Sequence, residues 1–124
     1  MRKTTLGAIA CLGLLGCGGG AMPSAQMTES KAAIRAADEL GAERYPDAAL
    51  HLRMARDQVE EAERFIADRE FQAARRSLER AEADAELAIE LARAEMTKQQ
   101  ARDAYQRVQR LQQELRRAEK GGTT

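Results

Sequence analysis

The chain has 124 residues, with 20 basic and 20 acidic side chains and a formal net charge of zero. That length allows one small domain, and the balanced charge argues against nucleic acid as a general partner. Alanine, arginine and glutamate dominate, with no Trp and only two Phe and two Tyr, the palette of long amphipathic helices. No Gly or Pro falls between Asp47 and Lys120, which excludes a β fold built on tight turns.

The first residues have the parts of an export signal. Arg2 and Lys3 give a positive start, and Leu6 to Leu15 is an uncharged, largely apolar run, too short to span a bilayer as a helix. The run ends Leu14-Leu15-Gly16-Cys17. This resembles the lipobox of bacterial lipoprotein signal peptides. The resemblance implies that residues 1–16 are removed and that Cys17 receives a diacylglycerol. Its freed amino group would then be acylated, with palmitate the expected chain. Two or three acyl chains hold far more firmly than one, at about 0.8 kcal/mol per buried methylene. Lipoproteins kept at the inner membrane often carry Asp after the cysteine, and here Gly18 follows. The expected location is therefore the outer membrane, facing the periplasm. Removal of Cys11 with the signal and lipidation of Cys17 would leave no thiol for a disulfide.

Residues 17–27 read as a flexible tether, opened by Gly18-Gly19-Gly20 and stiffened by Pro23. A first, shorter helix is expected over 28–44, capped by Thr28 or Ser24. Ile34, Ala37, Leu40 and Gly41 form its stripe, and Pro46 ends it by restricting Tyr45. A second helix over 47–67 carries Ala48, Leu52, Ala55, Val59, Ala62 and Ile66 at alternating spacings of four and three, a heptad-like seam.

That phase then breaks. A new seam runs Phe71, Ala74, Leu78, Ala81, Ala85, Ala88 and Ala92. A tight turn at Ala67 to Glu70, with Asp68 as N-cap, accounts for the jump, and a helix over 69–119 follows it. The alternative is one continuous helix from Asp47 to Glu119, about 110 Å long at 1.5 Å per residue. The absence of Gly favours the single helix and the phase break favours the turn. With the turn, the fold class is all-α: an antiparallel, alanine-rich helical hairpin with a shorter N-terminal helix and a long C-terminal one. Residues 121–124 read as a frayed tail, and the polar stretch Thr97 to Gln100 as a bend.

Past Ala92 the apolar stripe shifts to Ala101, Tyr105, Val108, Leu111 and Leu115. Charge shifts as well, from net −6 over Asp57 to Met96 to net +4 over Thr97 to Lys120. A hairpin is too short to cover this distal stripe, and an uncovered apolar stripe points to self-association or a partner helix. The basic side chains Arg107, Arg110, Arg116, Arg117 and Lys120 suit the carboxylates of peptidoglycan or another anionic polymer. The competing reading of such a charge run is a solvated face.

The pattern Gly41-Ala42, Tyr45-Pro46, Leu52, Ala55, Ala62, Asp68, Phe71, Ala74, Leu78 and Ala81 resembles the bacterial lipoprotein family catalogued as domain of unknown function 4398. The resemblance implies a short exported α-helical protein with two alanine-rich helices around a turn, and it brings no activity. Relatives more often have Gly-Asp and an aromatic at the turn, where this chain has Asp68-Arg69-Glu70-Phe71. The same stretch also looks like one tetratricopeptide unit, but with no second copy it cannot form a repeat groove.

Nothing points to catalysis. His51 is the sole histidine and lacks the partners a metal or triad would need, so it reads as a rim residue. Within Glu60, Glu61 and Glu63, and likewise Glu82, Asp84 and Glu86, the neighbours at i+1 and i+2 point apart, so these read as solvated faces, while Glu82, Glu86 and Glu90 share a face at i+4 and make a weak interaction candidate. The expected function is a non-enzymatic cell-envelope lipoprotein with no cofactor or metal. It would be held to the membrane by its lipid and serve as a structural or protein-interaction module. The alternative is peptidoglycan or anionic-polymer binding through the basic C-terminal helix.

Overall fold

The computed structural model describes residues 20–121. The signal segment 1–16, its cleavage motif Leu14, Leu15 and Gly16, the lipidation site Cys17 and residues 122–124 lie outside them. The described chain is all-helical. Helix α1 spans Ser24–Leu40, a single 3-10 turn Ala42–Arg44, α2 Pro46–Ala67 and α3 Phe71–Gly121. No strand occurs among the described residues.

Helix α1 begins four residues earlier than expected and ends four earlier. At its start neither Thr28 nor Ser24 caps; Pro23 precedes the helix with no side-chain cap, and the Thr28 hydroxyl donates to the Ser24 carbonyl inside it. The segment before it is held rather than free-standing. Pro23 is buried, and the Arg75 guanidinium donates to the Ala21 carbonyl at 2.9 Å. At its end Gly41 takes a left-handed φ of 77° and donates its N–H to the Asp38 carbonyl. Glycine suits that conformation because it has no Cβ to collide with the backbone. Tyr45 is then extended, as the residue before proline must be, and Pro46 opens α2 at the position where its missing N–H costs nothing.

A turn separates α2 from α3, so the single-helix alternative fails. Asp68 was expected to cap α3, but it closes α2 instead, donating its N–H to the Arg64 carbonyl. Arg69 has φ 62°, the one non-glycine residue with positive φ among those described. Its N–H reaches the Ile66 carbonyl at 3.0 Å, and that of Glu70 reaches Phe65 at 2.8 Å. These are the paired bonds of a Schellman stop. Arg69 therefore stands where a glycine would be unstrained.

The core is a seam of small residues. One cluster joins Ala48 and Leu52 of α2 to Ala88 and Ala92 of α3, with Ala37 of α1 and Ala42. The other joins Val59 and Ala62 of α2 to Ala74, Leu78 and Ala81 of α3. Ile34 packs against both clusters and Met27 against the second. Phe71, expected to open the α3 seam, is only half-buried; Leu52 and Leu78 are the large side chains fully enclosed. Alanine lets helix backbones approach closely. Buried Ser30 shows how closely: its hydroxyl lies 3.0 Å from the Leu78 carbonyl, across the α1–α3 boundary.

Two substitutions probe this arrangement in urea titrations. Leu78→Ala opens a cavity between three helices and is expected to cost ~2–5 kcal/mol. Arg69→Gly is expected to raise stability by up to about 1 kcal/mol, because it relieves the left-handed Cβ, an effect partly offset by a more flexible unfolded chain.

Candidate interaction surface

The surface is built on the part of α3 that outruns its neighbours. The last fully buried residue is Ala92, and every residue from Thr97 to Gly121 is exposed. The helix continues unbroken through Thr97 to Gln100, where a bend was expected. The Thr97 hydroxyl donates back to the Arg93 carbonyl at 2.9 Å, so this polar stretch stays within the helix.

Tyr105, Val108, Leu111 and Leu115 lie at spacings of three and four and share one helix face. Their exposures are 65%, 50%, 52% and 64%. Leu111 and Leu115, with Ala118 and Glu114, line a shallow apolar patch. Arg107, Arg110, Arg116 and Arg117 are also exposed. Arg110 and Arg117 share a face at a spacing of seven, whereas adjacent Arg116 and Arg117 diverge.

Three further large apolar side chains are exposed on the packed part: Leu50 and Met54 of α2 and Leu87 of α3. Near them a shallow groove is lined by Tyr45, Pro46, Asp47, Ala48, Leu91, Ala94, Glu95 and Lys98.

Polar bridges between helices were missed in the sequence. His51 of α2 is a rim residue, as its sequence position suggests, at 26% exposure, whereas Asp84 is not part of a solvated face. Instead, His51 Nδ1 lies 2.8 Å from Asp84 Oδ1, and Gln58 Nε2 donates to Asp84 Oδ2 at 2.8 Å. The Asp84 carboxylate is only 16% exposed. The signal was position: His51 and Gln58 are seven apart and each precedes a seam residue, Leu52 and Val59, while Asp84 precedes Ala85. A second bridge sets the Glu61 carboxylate between the buried Ser77 hydroxyl and the Arg80 guanidinium, the latter at 2.7 Å. The Ser77 hydrogen bond and the nearby arginines hold the Glu61 carboxyl below its ordinary range. On the other side of α2, Arg56 donates to Glu43 and Asp38, and Lys31 of α1 reaches Glu63 at 2.7 Å. Hydrogen bonding to Glu43 raises the Arg56 pKa further. Exposed pairs of this kind add little each.

Among the described residues, no group of three His, Cys, Asp or Glu side chains is placed to hold a metal ion, and no helix is long and apolar enough to cross a membrane. Two grooves open to solvent lie on α3, one lined with residues of the α2 start and one along Leu111 and Leu115.

Two outcomes follow. Asp84→Ala leaves His51 and Gln58 without their shared acceptor and is expected to cost about 1–3 kcal/mol in denaturant titration. Glu61 has a depressed folded-state pKa, so its contribution is present above the unfolded-state value and is lost as pH falls through the folded one. In Ser77→Ala, NMR titration of the Glu61 carboxyl should move back toward its ordinary value.

A family model described as a domain of unknown function, DUF4398, matches residues 25–104. The match runs from the start of α1 through the α2–α3 packing and ends just before Tyr105. No curated protein and no solved structure matches the chain. The packed helices and their alanine seams thus fall within the matched span, and the chain belongs to the DUF4398 family.

Proposed function

We propose that this protein is a non-enzymatic lipoprotein of the bacterial outer membrane, facing the periplasm. In this reading α2 and α3 form an antiparallel alanine hairpin braced by α1, and the distal half of α3 is a docking helix. The observation that carries the reading is the fully exposed helix from Thr97 to Gly121 with its apolar stripe. An isolated helix of that length is marginal in water, so a partner that covers the stripe gives it a reason to persist.

The lipobox supports the anchor, and the fold supports a division of labour between the ends. Gly20 lies beside Gln72 and Arg75, in the first turns of α3. The first described residue thus lies at the turn end of the hairpin, and this supports an anchor at that end. The stripe lies toward the other end of α3, which is roughly 75 Å long. A lipid at one end and a docking face at the other make a spacer.

The anchor and the docking helix are tested separately. Cys17→Ser should yield an uncut, unlipidated precursor, read by mass spectrometry of the N-terminus; a mature chain without acyl mass defeats the anchor. Deletion of residues 97–124 should leave the packed helices folded by circular dichroism while abolishing any co-purifying partner from detergent-solubilised envelopes. If the deletion unfolds them, the distal helix is core and the reading fails. Recovery that depends on intact peptidoglycan, lost after lysozyme digestion, would favour wall binding through Arg107, Arg110, Arg116 and Arg117.

A further inference from the structure

Three of the four stripe residues, Tyr105, Val108 and Leu115, belong to a longer seam that begins inside the packed part of the molecule, with Leu111 beside it. From Leu87 the positions Leu91, Ala94, Lys98, Ala101, Tyr105, Val108, Gln112 and Leu115 follow at spacings of four and three without interruption. Lys98 and Gln112 are the only polar members. This heptad seam is distinct from the buried one of Ala74 to Ala92 and lies on a different face of α3. Leu87, at 42% exposure, and half-buried Leu91 open it.

Building on the docking-helix reading, we propose that the occupant of this seam is a second copy of the chain, its α3 running antiparallel. Charge selects both partner and direction. A parallel pair would stack Lys98 on its own copy within the seam, set two net +4 segments side by side and bring Glu90 against Glu95. An antiparallel pair with its two-fold axis between Gln99 and Gln100 removes each conflict. Lys98 then meets Ala101, with its aliphatic stem across the methyl and its ammonium free to reach water. Glu95, which already bonds Lys98 at 2.6 Å, comes beside Arg102 of the other copy. The large Tyr105 faces the small Ala94, and Val108 faces Leu91.

The same register brings apolar side chains to two of the other exposed apolar groups on the packed helices, Met54 and Leu87. The ring of Tyr105 arrives at the groove formed by Tyr45, Pro46, Leu91 and Ala94. Leu111 and Leu115 reach the level of residues 84–88, where Leu87 and, across on α2, Met54 are exposed. The basic distal segment thereby lies along the acidic part of its partner. One register covers seam and groove together.

The test uses the full chain in the envelope, with cysteines placed at exposed seam positions and the unsubstituted chain as baseline for its native cysteines. In the antiparallel pair, residue 94 of one copy adjoins residue 105 of the other, whereas 94 and its own copy are ~16 Å apart along the axis, beyond disulfide reach. Chains carrying both Ala94→Cys and Tyr105→Cys should therefore oxidise to a covalent dimer, and either substitution alone should not. Dimer from each single variant would mean a parallel pair and overturn the proposal. Absence of dimer from all three, with a monomeric mass in detergent sedimentation, would overturn it too. A photo-crosslinker at Val108 separates the remaining possibilities. Capture of a different envelope protein sinks the self-pairing and leaves the docking helix standing, while capture of nothing sinks both.

Discussion

Everything in this molecule depends on how closely α2 and α3 approach. Alanine at Ala48, Ala55 and Ala62 on one side, and at Ala74, Ala81, Ala85, Ala88 and Ala92 on the other, leaves no side-chain bulk to keep the helices apart. Each alanine removes little apolar area from water, so the stabilisation comes from many close backbone and methyl contacts along the length of the seam. Leu52, Val59 and Leu78 supply the exceptions and key one helix onto the other. The bracing by α1 obeys the same constraint. Ser30, facing the Leu78 carbonyl, would not fit if it were larger, and its hydroxyl finds an acceptor where a methyl would leave the carbonyl its helical bond alone.

The seam between α2 and α3 is filled by small side chains. Its polar side chains are spent on joining helices, as in the Asp84 bridge between His51 and Gln58 and the Glu61 bridge to Ser77 and Arg80. Both bridges run along the edge of the seam, where partial burial strengthens a hydrogen bond without the full cost of enclosing a charge.

Periodicity made the seams legible. Five of the six α2 seam residues and all those of α3 from Ala74 to Ala92 are buried, because the alternation of four and three leaves no other face for alanine to choose. The shift between Ile66 and Phe71 marked the turn for the same reason. Local backbone chemistry was harder to read. Gly41 looked like one more small residue on a stripe, and only its left-handed φ reveals it as a stop. Arg69 gave no such hint, since arginine is a poor choice for that conformation. The polar bridges were hidden for another reason: they join residues sixteen or more apart in sequence, so no spacing rule within one helix announces them. The extended seam of Leu87 to Leu115 was only half visible, because its first members overlap in sequence with the buried seam.

Helix α3 contains no glycine before its last residue and no proline, so it has no built-in hinge. A helix without a hinge is a lever. Any small tilt of the packed base is magnified at the far tip, and any pull on the tip returns as torque on the alanine seam. The left-handed Arg69 lies at the opposite end, in the turn that separates α2 from α3. Load applied along α3 is thus shared by the whole row of small side chains as shear, the direction in which many weak contacts acting together resist best.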